Sequence, residues 1–76
     1  MSELKITFRN PEEILDFVNT VEKYDCAMDM KRGRFVVDAK SLLGIMNLGL
    51  NNIIELVVYD DDCDQLKQEI AQYVAA

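Results

Sequence analysis

The sequence predicts an α+β fold, a four-stranded antiparallel sheet with three helices stacked on one face. Three observations carry this expectation. Apolar and polar residues alternate over 4–9 and 26–31, the period of half-buried strands, and 34–38 returns as the second arm of a hairpin. Apolar residues recur at helical spacing over 11–24 and again from Cys63 onward. The resulting order, β-α-β-β-α-β-α, joins two strands directly through a hairpin, which favours antiparallel pairing over parallel crossovers.

Leu4-Lys5-Ile6-Thr7-Phe8-Arg9 reads as the first strand. Asn10-Pro11-Glu12-Glu13 then opens a helix: Asn10 suits the N-cap, Pro11 the first helical position, and Glu13 the third position of a capping box. Ile14, Leu15, Phe17, Val18 and Val21 give that helix one apolar face, running to about Tyr24. Cys26, Met28 and Met30 alternate with polar or small residues as a second strand, and Arg32-Gly33 is a tight turn leading to a third strand over 34–38. Ser41 and Gly49 bracket a short apolar helix, as N-cap and as a left-handed stop. After the turn signal Asn51-Asn52, residues 53–59 form the most strand-like run; being apolar on both faces, it belongs in the middle of the sheet. Asp62 and Gln65 have capping-box spacing at the head of a last helix, whose buried stripe is Cys63, Leu66, Ile70 and Tyr73 or Val74.

Seventy-six residues, 50% of them hydrophobic, suit one domain over 1–76 with a modest core. No apolar run reaches the ~18–20 residues of a membrane span, and the N-terminus has no signal-peptide pattern. A cytoplasmic location is therefore expected, with no membrane partner. The net charge of −6 repels nucleic-acid phosphates, and Lys31-Arg32-Gly33-Arg34 reads as solvated charge around a turn, so no nucleic-acid partner is expected. Cys26 and Cys63 are distant in sequence and no histidine is present, which leaves neither a zinc pattern nor a CxxC pair. In a cytoplasmic chain both cysteines are expected as small core residues rather than a disulfide, without metal or cofactor. Asp60-Asp61-Asp62 with Asp64 lacks the glycine and distant glutamate of a calcium loop and is expected to cap and solubilise.

The stretch Ala39-Lys40-Ser41-Leu42-Leu43-Gly44-Ile45-Met46-Asn47-Leu48-Gly49 is too apolar for so short a helix to bury entirely. It closely resembles the regulatory-serine segment of HPr, the histidine-containing phosphocarrier of the bacterial sugar phosphotransferase system. The order of elements resembles the HPr fold, an open-faced sandwich, over essentially the whole chain, and Lys23-Tyr24-Asp25 resembles the family's exit from its first helix. The resemblance implies that Ser41 is the phosphate acceptor for a dedicated HPr kinase. It also implies that Leu42, Leu43 and Met46 face outward and dock a transcription regulator or a phosphotransferase-system protein.

The phosphocarrier reaction of that family needs a histidine at the cap of the first helix and an arginine two residues later. Counted back from Ser41 without gaps, these positions fall on Asn10 and Glu12. An amide accepts no phosphoryl group in this chemistry, and Glu12 with Glu13 adds negative charge where phosphate oxygens should bind. The sequence thus reads as a non-enzymatic, HPr-like regulatory or binding protein, similar to the catabolite-repression HPr-like proteins, which lack the histidine and keep the serine. The alternative is a diverged interaction domain or antagonist that uses the HPr scaffold without phosphorylation.

Overall fold

A computed structural model describes residues 2–60 and 63–75. Its elements are β1 (Ser2–Ile6), α1 (Pro11–Val21), β2 (Met28–Arg32), β3 (Phe35–Asp38), α2 (Leu42–Leu48), β4 (Ile54–Val58) and α3 (Asp64–Glu69), followed by a 3-10 turn, Ala71–Tyr73. The strands form one antiparallel sheet in the order β1-β4-β2-β3, with Leu4 opposite Leu56, Met30 opposite Leu56 and Met30 opposite Val37. The run that is apolar on both faces is therefore an inner strand, as its composition predicts.

One face of this sheet carries the core. Ile6, Met28, Met30, Ile54, Leu56 and Val58 join Ile14, Phe17, Val18 and Val21 of α1, Ile45 and Leu48 of α2, and Leu66 of α3 in a single buried cluster. Phe8, just past β1, is fully buried; its ring lies 5.2 Å from that of Phe17 and 5.5 Å from that of Tyr73. The opposite face is mostly polar. Val57 is buried there as well, between its cross-strand partners Glu3 and Asp29. The Tyr59 hydroxyl donates to Asp29 Oδ2 at 2.8 Å on the same side.

Element ends differ from the sequence reading where local hydrogen bonds decide them. The first helix stops at Val21 instead of Tyr24, because Lys23 and Tyr24 donate to Thr20 and Val21 in tighter i→i−3 bonds. The last helix breaks into α3 and the 3-10 turn because the chain then bends to meet β1: Thr7 N–H donates to the Tyr73 carbonyl, and Ala75 N–H to that of Lys5. Tyr73 is consequently the buried member of the predicted pair and Val74 is exposed. Asp61 and Asp62 lie outside the described residues, and with them the predicted capping box to Gln65. Cys63 stands at the N-cap of α3 without a side-chain cap bond.

Each of the three tyrosines donates its hydroxyl to a carboxylate: Tyr24 to Glu69, Tyr73 to Asp16 and Tyr59 to Asp29. These bonds need the neutral phenol. Tyr24 is pushed up to about 12 by its bond to Glu69 and then by burial; Tyr73 is pushed up to about 12 by burial and then by Asp16. The bond to Asp29 raises Tyr59 as well. In the unfolded chain a phenol titrates near 10. The folded protein therefore binds more protons than the unfolded one above that pH, and its stability is complete below pH ~10 and falls as the pH rises towards ~12. Thermal unfolding followed from pH 8 to 12 should show that decline, with tyrosinate absorbance appearing later in the folded protein than in urea.

Candidate functional site

The entrance to α1 is a well-made cap. Asn10 Oδ1 accepts the Glu13 N–H at 3.0 Å, as the sequence predicts. The Glu13 side chain does not close the capping box on the Asn10 amide. Its carboxylate reaches one residue further back, accepting the Arg9 N–H at 2.7 Å and Arg9 Nη2 at 3.1 Å. The backbone amide of Arg9 takes one carboxylate oxygen and a single guanidinium nitrogen the other, and these bonds, the backbone one first, hold the Glu13 carboxyl below the usual range. Glu12 is exposed in the same first turn. The cation at this helix entrance is thus already engaged by a carboxylate, and Asn10 spends its acceptor oxygen on the backbone.

Helix α2 begins and ends on the residues predicted to bracket it. Ser41 is the N-cap; its Oγ accepts the Gly44 N–H at 3.2 Å and its carbonyl accepts that of Ile45. Gly49 ends the helix at φ 92°. Lys40, beside Ser41 in sequence, sends its Nζ the other way, to the Tyr24 carbonyl at 2.6 Å, and so ties the head of α2 to the exit of α1. Within α2, Ile45 and Leu48 point into the core, which leaves Leu43 75% and Met46 43% exposed. Leu42 differs from the expectation that it faces outward. It lies half-buried against the core, because at i−3 from Ile45 it falls on the inward side of the helix.

Arg32, expected as solvated turn charge, has a defined partner. Its Nη1 donates to the Leu48 carbonyl at 2.9 Å, placing a cation at the C-terminal end of α2. Between α2 and the edge strand β3 runs a groove of ≈ 300 Å³, lined by Arg32, Phe35, Val36, Val37, Gly44, Asn47 and Leu48. Phe35 and Val36 on its rim are 66% and 54% exposed. The apolar surface around α2 is thus broader than the helix alone, and the hairpin reading of the sequence had placed these two residues only on a strand.

A second cluster escaped the sequence reading. Cys26 and Cys63, 37 residues apart, bring their sulfurs to 3.2 Å, and Cys26 Sγ lies 3.5 Å from Asp60 Oδ2. Cys63 is buried as expected; Cys26 is half-buried, and both are free thiols. The contact to Cys63, with burial and Asp60 adding to it, pushes the Cys26 thiol up to about 11. That is the opposite of an activated nucleophile. Spacing rules could not find this cluster, since its members come from two separate connections.

An antiparallel β1-β4-β2-β3 sheet covered on one face by three helices, the short middle one capped by a serine and bearing exposed apolar residues, defines a small open-faced sandwich of the HPr type. The family described as PTS HPr component, phosphorylation site, matches residues 5–76. The chain belongs to the HPr family. Among solved structures it is similar to HPr-C-His from Thermoanaerobacter tengcongensis, with a TM-score of 0.77, 26% identity, and coverage of 95% of this chain and 89% of that one. It is also similar in fold to the phosphocarrier protein HPr from Bacillus anthracis str. Ames (TM-score 0.74, 20% identity, 97% and 96% covered). The histidine-containing phosphocarrier protein of Mycoplasma aligns with a TM-score of 0.74 at 14% identity, over 93% and 89%. No curated protein matches the chain. None of the described helices is long and apolar enough to cross a membrane.

Proposed function

We propose that this chain is a single-domain, non-enzymatic regulatory or protein-binding member of the HPr family that does not carry a phosphohistidine, and that Ser41 is its phosphorylation site. The observation that carries the reading is the pairing of Ser41, the partly exposed N-cap of α2, with Leu43, which is 75% exposed two residues on. The absence of any histidine from the sequence, with Asn10 and Glu12 at the positions matched to the family's histidine and arginine, supports the negative half. An added phosphate would bring charge of about −1.5 to −2 and three acceptor oxygens to the edge of the apolar surface of Leu43 and Met46. It would thereby reject one partner and recruit another, such as a transcription regulator or a phosphotransferase-system protein. The donor would be an HPr kinase using ATP.

Incubation with ATP and an HPr kinase, followed by peptide mass spectrometry, tests this reading. Phosphate is expected on Ser41 and not on the Ser41→Ala variant, which should unfold with a loss of about 1 kcal/mol from its missing cap. No incorporation, with an ordinary HPr labelled in parallel, would reduce Ser41 to a helix cap. That outcome would favour the second reading, a scaffold used for docking alone, to which the exposed Phe35 and Val36 beside α2 already lend support.

A further inference from the structure

We propose that Cys26, Asp60 and Cys63 form a binding site for one thiophilic divalent cation, with Zn²⁺ the expected physiological occupant. The three donor atoms lie within 4.8 Å of one another. The fold puts them there by two separate devices. Met28 pairs with Val58, and the Tyr59 N–H donates to the Ala27 carbonyl at 3.0 Å. Continuing that register by one step sets Cys26 opposite Asp60, so the central strand pair of the sheet fixes two ligands. The third, Cys63, follows Asp60 by three positions at the head of α3, and its Sγ lies 3.5 Å from the Asp60 carbonyl. That spacing equals the shortest ligand separation common in structural zinc sites.

The distances favour an ion over a disulfide. Zinc bonds of about 2.3 Å to sulfur and about 2.0 Å to oxygen, at tetrahedral angles, separate two thiolates by about 3.8 Å and a thiolate from a carboxylate oxygen by about 3.5 Å. The observed separations are 3.2 Å and 3.5 Å. The sulfurs need to part by only about half an ångström, whereas a disulfide at about 2.05 Å requires them to close by about twice that. Two sulfurs and one oxygen select zinc-like ions over Mg²⁺ and Ca²⁺, which take oxygen ligands. Three protein ligands leave a fourth position for water or for a group from a partner. The bound ion would clamp the start of α3 to the centre of the sheet, so metal and folding are linked.

Titration of the full-length, reduced protein with Co²⁺ tests the proposal, followed by displacement with Zn²⁺ against a chromophoric chelator. One equivalent of Co²⁺ should develop thiolate-to-cobalt charge-transfer absorption and the intense ligand-field bands of a tetrahedral ion. Zn²⁺ should raise the unfolding temperature, and Mg²⁺ should not. Cys26→Ser and Cys63→Ser should each weaken Zn²⁺ binding by at least about a hundred-fold, and Asp60→Asn by about ten-fold. Asp60 is exposed, so its variant keeps the test decisive should a cysteine variant fail to fold. Absence of the charge-transfer band overturns the site. So does Zn²⁺ affinity unchanged in the variants, which would assign the ion to the acidic surface, or air oxidation to a disulfide in protein that takes up no cobalt.

Discussion

Phe17→Ala is expected to destabilise the chain by about 3–5 kcal/mol, the range for removing a fully buried aromatic ring. Phe17 is 0% exposed and stands between the rings of Phe8 at 5.2 Å and Tyr73 at 6.1 Å, edge-on to both. The substitution removes the ring, leaves a cavity that α1 cannot close without leaving the sheet, and deletes two aromatic contacts worth about 0.5–1.5 kcal/mol each within that total. A domain this small has a net stability of roughly 4–11 kcal/mol, so the variant should lose a large share of it. Urea unfolding followed by circular dichroism measures the loss. Phe17→Leu keeps most of the volume and should lose less than half as much. A loss below about 1 kcal/mol for the alanine variant would mean that the three rings do not form one packed unit.

The residues in that cluster show what the sequence could and could not disclose. Phe17 was legible from helical spacing and Phe8 from strand alternation, because both periods are local properties of the backbone. The bracketing of α2 by Ser41 and Gly49 was legible for the same reason: caps are read within four residues. Tyr73 was only half legible, since the choice between it and Val74 depends on how the last turn bends to reach β1, a long-range pairing. Arg32 on the Leu48 carbonyl, Arg9 with Glu13, and the convergence of Cys26, Asp60 and Cys63 were missed. In the first and last of these, residues 16 to 37 apart meet through sheet register and helix packing, which carry no short-range signal. The Arg9–Glu13 contact was missed for a smaller reason. The capping rule fixes where a carboxylate is wanted, and not which of two adjacent amides it will choose once a guanidinium stands beside one of them. The candidate site was therefore legible in its ends and its exposed leucine, and not in the groove that β3 adds to it.

Gly49→Ala is the second large effect expected, a loss of about 2–3 kcal/mol that should fall selectively on α2. Gly49 adopts φ 92° and ψ 169°, a region open essentially to glycine alone and costing other residues about 1–3 kcal/mol. A Cβ there would also stand 2.9 Å from Asn52 Nδ2, so the Asn52 side chain must swing aside as well. Gly33→Ala separates the two contributions. Gly33 has φ 60° in the open hairpin turn with nothing within 4 Å of an added Cβ, so it should lose only the ~1 kcal/mol of left-handed strain. In Gly49→Ala the helix can be relieved only by unwinding its last turn, where the Gly49 N–H meets the Met46 carbonyl and Leu48 receives Arg32. Amide exchange should accordingly accelerate at 46–49 while the amides of β2 and β4 keep their protection relative to the new global stability. Met46 lies in that turn and Leu43 one turn before it, so the surface proposed to dock partners would lose its fixed shape while the sheet beneath it persists. If exchange instead rose uniformly with the global loss, α2 would not be a separately opening unit, and a phosphate on Ser41 would have to act through charge at the surface rather than by loosening or tightening the helix.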